Sequence, residues 1–163
     1  MADPNAALKT PTDLNRNDTK TVAQALNGIL ADSYALYFKT KNFHWHVSGP
    51  HFRDYHLLLD DQAAQILATT DVIAERVRKT GNATLRSVGD ISRHQSIKDN
   101  DKDFVAPEEM LAELREDNLK LIALLREAKE IVDEAKDNAT SGILDEWTDQ
   151  AEERAWFLFE TTR

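Results

Sequence analysis

The chain of 163 residues contains no cysteine and only 5 glycines and 4 prolines. Without cysteine it can form no disulfide framework, no thiolate metal site and no thiol-based catalytic centre. Any metal must therefore bind through histidine, carboxylate or water. The scarcity of glycine, proline and β-branched runs favours long helices.

The sequence also lacks a long hydrophobic run. No apolar stretch approaches the ~20 residues that a membrane span needs, and the N-terminus has neither the basic nor the apolar region of a signal peptide. We therefore expect a cytoplasmic protein that does not associate with membranes.

Positive charge is scarce in the second part of the chain. The formal net charge is −9, which disfavours a surface built to neutralise nucleic-acid phosphates. Residues 1–100 carry 12 Lys and Arg against 11 Asp and Glu, whereas residues 101–163 carry 8 against 18. The carboxylates of the second part therefore need an explanation.

Hydrophobic periodicity predicts four long helices that form one domain over residues 18–163, after a flexible N-terminal tail over residues 1–17. The first helix runs from about Asp18 to Val47, and the second follows Ser48-Gly49-Pro50 and ends at Gly81. The third runs over 108–136, with Pro107 at its start. A break over 137–140 precedes the fourth, whose apolar stripe includes Arg154 or Ala155.

The connections between the helices predict their directions. Short links make the first and second helices, and the third and fourth, antiparallel pairs. The long connection over residues 82–106 lets the second and third helices run parallel, which is the ferritin-like variant of the four-helix bundle. We expect an all-α fold with a short helix over residues 88–94 in this crossover.

Four of the five histidines lie within thirteen residues, at positions 44, 46, 51 and 56. If the turn between the first two helices is centred on Pro50, His44 and His56 are equally far from it and should meet. Asp60 lies one helical turn after His56 on the same face. A His-His-Asp group suits divalent iron, zinc or manganese. The alternative is a pair of half-buried structural histidines.

Two further carboxylates, Asp71 and Glu75, lie on the same face of the second helix as Asp60. Asp71 is eleven residues from Asp60, about 16 Å along the axis at ~1.5 Å per residue, so one ion cannot bridge them within one chain. An antiparallel second copy would bring Asp71 and Glu75 beside His44, His56 and Asp60. The alternative is a solvated helix face with ordinary charge pairs. The Glu-x-x-His pairs of a metal site inside a single bundle are absent, because no histidine has Glu three residues before it.

These residues resemble the signature of a known family. Asn42-Phe43-His44-Trp45, Gly49, Phe52, His56, Asp60 and Asp71-x-x-Ala74-Glu75-Arg76 are similar to the motif of the Dps family, the mini-ferritins named as DNA-binding proteins from starved cells. The resemblance implies a hollow homododecamer that oxidises Fe(II), preferentially with hydrogen peroxide, stores the Fe(III) mineral inside and so protects DNA. It also implies the ligands His44, His56 and Asp60 from one chain and Asp71 and Glu75 from its two-fold mate.

The resemblance implies further roles at other positions. Trp45 would lie beside the ligands and intercept a stray oxidising equivalent, although an aromatic residue that packs the hairpin end is the simpler interpretation. The junction of the third and fourth helices would line three-fold pores for Fe(II), and Asp133, Asp137 and Asp145 are candidates there. Exposed helix charges, or a cap for the fourth helix, are the alternative. His46 and His51 are candidates for holding iron in transit or for supporting the ligands, and surface residues near the turn are the simpler interpretation.

DNA binding is the family property that the sequence supports least. Residues 1–20 hold three cationic side chains, Lys9, Arg16 and Lys20, against three aspartates, and the C-terminus carries no basic tail. We therefore predict weak or absent DNA binding at physiological salt. Two other functions stay open: a nucleoid-binding architectural protein with secondary iron chemistry, and a helical interaction protein without metal.

Overall fold

The computed structural model describes residues 3–163 and contains five α-helices. They are α1 (Arg16–His46), α2 (Phe52–Lys79), the short α3 (Val88–His94), α4 (Pro107–Glu134) and α5 (Asn138–Thr161), with a 3₁₀ turn over Ala6–Leu8 before them. The described residues contain no strand. The all-α prediction is confirmed, as are the four long helices and the short helix in the crossover.

Local capping chemistry determines the helix ends. Helix α1 begins two residues earlier than predicted, because the Asn15 side chain accepts hydrogen bonds from the backbone N–H groups of Asn17 and Asp18. Gly81 adopts a positive φ of 84° just after α2, as a helix stop requires. Helix α4 starts with Pro107 at its first turn.

The predicted break over residues 137–140 is shorter in the structure. Lys136 turns the chain with a φ of 58°, and the Asp137 side chain caps α5 by accepting a hydrogen bond from the Thr140 backbone N–H at 3.1 Å. Residues 138–140 therefore form the first turn of α5. The helix starts this early because an aspartate at the N-cap satisfies the backbone N–H three residues further on.

The four long helices enclose one apolar core. Helix α1 packs on α2 and α4, and α5 packs on α4 and α2. Leucines such as Leu26, Leu59, Leu114 and Leu144 are at most 1% exposed. Because the crossover carries the chain from the end of α2 to the other end of the bundle, where Asn42 donates a hydrogen bond to the Asn100 carbonyl, α4 runs parallel to α2.

Asp32, a buried carboxylate that the apolar periodicity does not predict, holds the crossover in place. Asp32 of α1 is 1% exposed and accepts hydrogen bonds from the backbone N–H and hydroxyl of Ser96 and from the backbone N–H of Ile97, at 2.6, 2.7 and 2.8 Å. Charge-assisted hydrogen bonds of this kind are about twice as strong as neutral ones. Asp32 therefore fixes where the long connection crosses α1.

The N-terminal segment lies against the end of α2. The Thr10 hydroxyl donates to the Arg78 carbonyl at 2.8 Å, and a side chain at Gly81 would come within 2.9 Å of the Thr10 carbonyl oxygen. The flexibility predicted for residues 1–17 stays a prediction, and Met1 and Ala2 lie outside the described residues. Across residues 3–163, none of the helices combines the length and the apolar character that a membrane span requires.

Candidate metal centre

His44 and His56 meet across the α1–α2 hairpin, as their equal distances from the turn predict. Their rings stack with centroids 3.8 Å apart and planes 16° from parallel. His44 lies near the end of α1 and His56 in the first turns of α2. The hairpin therefore brings two imidazoles side by side.

Each histidine is held by the backbone of the other. His44 Nδ1 lies 2.7 Å from the His56 carbonyl oxygen, and His56 Nδ1 lies 2.8 Å from the His44 carbonyl oxygen. Because a carbonyl oxygen only accepts hydrogen bonds, both bonds require the proton on Nδ1. This leaves the lone pair of each Nε2 free to bind a metal ion in the neutral ring.

Asp60 lies within reach of the same position. Its Oδ1 is 3.8 Å from His44 Nε2. Two ligand atoms that each lie ~2 Å from one ion are separated by up to ~4 Å, so this pair can share a metal. The side chain of Asp60 is 54% exposed, which places the group at the surface of the single chain.

Lys41, which is not among the predicted site residues, forms an ion pair with the Asp60 carboxylate. Lys41 Nζ lies 2.7 Å from Asp60 Oδ1. The hydrogen bond from Lys41 is the main reason that the pKa of Asp60 lies below its usual value. The sequence contains a signal for this contact: Lys41 lies three residues before His44 and therefore on the same face of α1.

Asp71 and Glu75 lie on the same helix as Asp60 but far from it. Both are exposed on α2, and the nearest charged partner of Glu75 is Lys79, at 3.6 Å. Within residues 3–163, no three His, Asp or Glu side chains come close enough together to enclose a metal ion. The single chain therefore presents the five predicted ligands as two separate groups.

Trp45, which follows His44 in the chain, is largely exposed. It is 55% exposed, makes an edge-to-face contact with Phe38 at 5.9 Å, and has Lys41 Nζ 5.9 Å from its ring centroid. Another exposed apolar ring, Phe38, is 64% exposed. His46 and His51 are also exposed, in agreement with their interpretation as surface residues.

Two of the three candidate pore residues at the α4–α5 junction lie on the surface of the chain. Asp133 and Asp145 are exposed, and Lys129 bridges them with Nζ–O distances of 3.6 and 3.1 Å. These two carboxylates raise the pKa of Lys129, with Asp145 the larger cause. Lys129 therefore partly neutralises the charges of Asp133 and Asp145 within the same chain.

Asp137 does not fit the predicted pore role. It is 4% exposed, and its carboxylate accepts hydrogen bonds from the Arg76 guanidinium at 2.8 and 3.1 Å and from the Thr140 backbone. A buried carboxylate that caps α5 and pairs with the half-buried Arg76 guanidinium presents little charge to a channel. The capping alternative is therefore the correct one for Asp137.

The comparisons with known proteins agree with this architecture. The ferritin-like domain family matches residues 23–162. The DNA protection during starvation protein of Agrobacterium fabrum is 33% identical, over 92% of this chain and 93% of its own length. An uncharacterised low temperature-induced protein of Nostoc is 36% identical, over 84% of this chain and 77% of its own. The solved structure of DpsC from Streptomyces coelicolor covers 95% of this chain and 91% of its own, with a TM-score of 0.91 and 27% identity. Together with the fold, these matches show that the chain belongs to the Dps family of ferritin-like proteins.

Proposed function

We propose that the protein oxidises Fe(II), preferentially with hydrogen peroxide, and stores the Fe(III) product as a mineral inside a hollow homododecamer. The observation that carries this proposal is the reciprocal hydrogen bonding of His44 and His56, which leaves both Nε2 atoms free, with that of His44 3.8 Å from Asp60 Oδ1. A purely structural histidine pair would not require a carboxylate within metal-sharing distance of a free Nε2, as Asp60 is.

The ligand types suit an ion that changes oxidation state. Neutral imidazole nitrogens bind Fe(II) at neutral pH, and carboxylate oxygens are hard donors that favour Fe(III) as it forms. Two Fe(II) ions give one electron each to one peroxide molecule, its O–O bond breaks, and two hydroxide ions result. Because both electrons are delivered together, no hydroxyl radical is released, and DNA is protected without being bound.

The separation of the two ligand groups supports sites shared between chains. Asp60 and Asp71 lie on one continuous helix, about 16 Å apart at ~1.5 Å per residue. In our proposal, a two-fold axis places Asp71 and Glu75 of one chain beside His44, His56 and Asp60 of its partner. Each two-fold pair of chains then has two equivalent sites.

A complementation experiment tests this arrangement directly. One variant combines His44→Ala with Asp60→Ala, and a second combines Asp71→Ala with Glu75→Ala. Each variant alone should assemble but oxidise Fe(II) no faster than buffer. When the two are co-assembled, every mixed pair contains one intact site and one site that lacks both groups, so peroxide-dependent oxidation should return in proportion to the mixed pairs.

The same experiment can contradict the proposal in two ways. If the mixture stays as inactive as the separate variants while native mass spectrometry shows mixed oligomers, the sites do not combine groups from two chains. If peroxide oxidises Fe(II) no faster with the unaltered protein than in buffer alone, or if the protein fails to retain Fe(III), the ferroxidase proposal itself is wrong. Exposed Asp54→Ala is a matched control, since it removes an α2 carboxylate outside both groups.

A further inference from the structure

Phe52, the first residue of α2, packs its ring against one of the two stacked histidines. The ring centroids of Phe52 and His56 are 4.9 Å apart, and the two ring planes are 27° from parallel. His44 stacks on the same imidazole, with ring centroids 3.8 Å apart. Two rings at these distances would overlap if they shared one face of the imidazole, so the His56 ring lies between those of His44 and Phe52.

The turn between α1 and α2 determines where Phe52 lies. Gly49 adopts a φ of 109°, a backbone conformation that favours glycine, and its carbonyl accepts a hydrogen bond from the Phe52 backbone N–H at 3.1 Å. Phe52 precedes His56 by four residues, so both side chains lie on the same face of α2. The spacing of Gly49, Phe52 and His56 therefore places an aromatic ring against the imidazole.

The hydrophobic core does not account for an aromatic residue at this position. Phe52 is 44% exposed, whereas Tyr55, three residues later, is 8% exposed and belongs to the core. An exposed residue in the first turn of a helix needs neither bulk nor aromatic character. The contact with His56 is therefore the feature that distinguishes phenylalanine from other residues here.

The orientation of the His56 ring depends on what covers its two faces. Its Nδ1 lies 2.8 Å from the His44 carbonyl oxygen, and a single hydrogen bond at one atom allows the ring to tilt about that contact. His44 blocks one face, and without Phe52 the other face would be open to water. The lone pair of Nε2 lies in the plane of the ring, so a tilt of the ring turns the lone pair away from a bound ion.

We infer that Phe52 is a positioning residue of the proposed metal centre. It confines the His56 ring between itself and His44, so that the Nε2 lone pair of His56 keeps one direction. Phe52 itself does not touch the metal ion. The inference rests on the proposed function, in which His56 is a ligand, but it does not rest on the oxidation reaction.

Cobalt(II) tests this inference, because it binds imidazole and carboxylate ligands and its visible bands report on them without any oxidant being present. The relevant signal is the part of the cobalt spectrum that His56→Ala abolishes. Phe52→Leu and Phe52→Met keep an apolar side chain but remove the flat ring. We expect both to weaken this cobalt binding by roughly 10-fold or more, as loss of a group that orients a metal ligand does.

Two further variants separate positioning from simple packing. Phe52→Tyr keeps the ring face and should restore both the affinity for cobalt and the bands. Phe157→Leu removes a phenylalanine of α5 that is 42% exposed, and it should bind cobalt as the unaltered protein does. In a metal-free crystal structure of Phe52→Leu, the distance between His56 Nδ1 and the His44 carbonyl oxygen should exceed hydrogen-bonding range.

The outcomes distinguish this inference from the proposed function. Unchanged cobalt affinity and bands in Phe52→Leu, or an equal loss in Phe52→Leu and Phe52→Tyr, would overturn the positioning role. Absence of a His56-dependent cobalt signal in the unaltered protein would overturn the metal centre and the positioning role together. Cobalt binding that depends on the Phe52 ring, in a protein that fails to oxidise Fe(II), would support the positioning role and contradict only the proposed function.

Discussion

Lys41 Nζ and Asp60 Oδ1 form a 2.7 Å ion pair beside the free Nε2 of His44. In the proposed site, Fe(II) must displace this ammonium group before Asp60 can act as a ligand. The lysine side chain is only 17% exposed, so it is held close to the carboxylate when no iron is bound.

Replacing Lys41 with methionine removes this competitor while keeping the length of the side chain. We expect Lys41→Met to bind Fe(II) severalfold more tightly under anaerobic conditions, as measured by titration. Lys98→Met, at an exposed lysine in the crossover, is the control and should bind as the unaltered protein does. Weaker binding by Lys41→Met would show that the ammonium group helps to assemble the site.

The α4–α5 junction gives a prediction about the rate of iron entry. If Asp133 and Asp145 line a cation pore, Lys129 lowers the negative potential there, because it bridges both carboxylates. Lys129→Met should therefore speed Fe(II) uptake at low ionic strength in stopped-flow measurements, and Asp145→Asn should slow it. Asp149→Asn, at an exposed carboxylate one turn further along α5, should leave the rate of Fe(II) uptake unchanged. Equal rates in all three variants would place the entry route elsewhere.

DNA binding should be weak or absent. The cations of the N-terminal segment are balanced in sequence, and in the structure Lys9 pairs with Asp3 at 3.0 Å. We expect no retardation of linear DNA in a mobility-shift assay at roughly 150 mM salt, where surface electrostatics are screened beyond about 8 Å. An Asp3→Lys/Asp13→Lys variant, whose tail is strongly basic, is the positive control. Clear retardation by the unaltered protein would favour the architectural alternative.

The buried Lys39 pair predicts a pH-dependent stability. Lys39 lies 2.7 Å from Asp117 and 3.0 Å from Glu113, and desolvation is the main cause that raises the pKa of Asp117 above its ordinary value. A carboxyl group with a raised pKa in the folded state binds its proton more tightly there than when unfolded. Its contribution to stability is therefore lost as pH rises from the ordinary carboxyl value through the raised one.

Asp117→Asn removes this titration, while Glu113 still pairs with Lys39. Relative to the unaltered protein, the Tm of Asp117→Asn should increase as pH rises through the weakly acidic range. Glu116→Gln, at the exposed neighbouring carboxylate, should show no such trend. A Tm difference for Asp117→Asn that does not change with pH would contradict the raised pKa.

The sequence by itself determined the helices, because each long helix has a continuous 3.6-residue apolar stripe and has glycine, proline or a capping side chain at one end at least. It also determined that His44 and His56 meet, since a tight turn makes residues at equal distances face each other. The starts of α1 and α5 differ from the prediction, because Asn15 and Asp137 act through capping hydrogen bonds that periodicity does not register.

Only the tertiary structure decided the contacts between residues distant in the chain. Asp137 is a buried partner of Arg76, Asp32 holds a backbone segment 64 residues later, and Arg154 of α5 donates a hydrogen bond to Asn118 of α4. The sequence alone does not show whether a charged side chain is solvated, ion-paired or buried without a partner. Its role depends on what the packed helices place within about 4 Å of it, and that is a property of the fold.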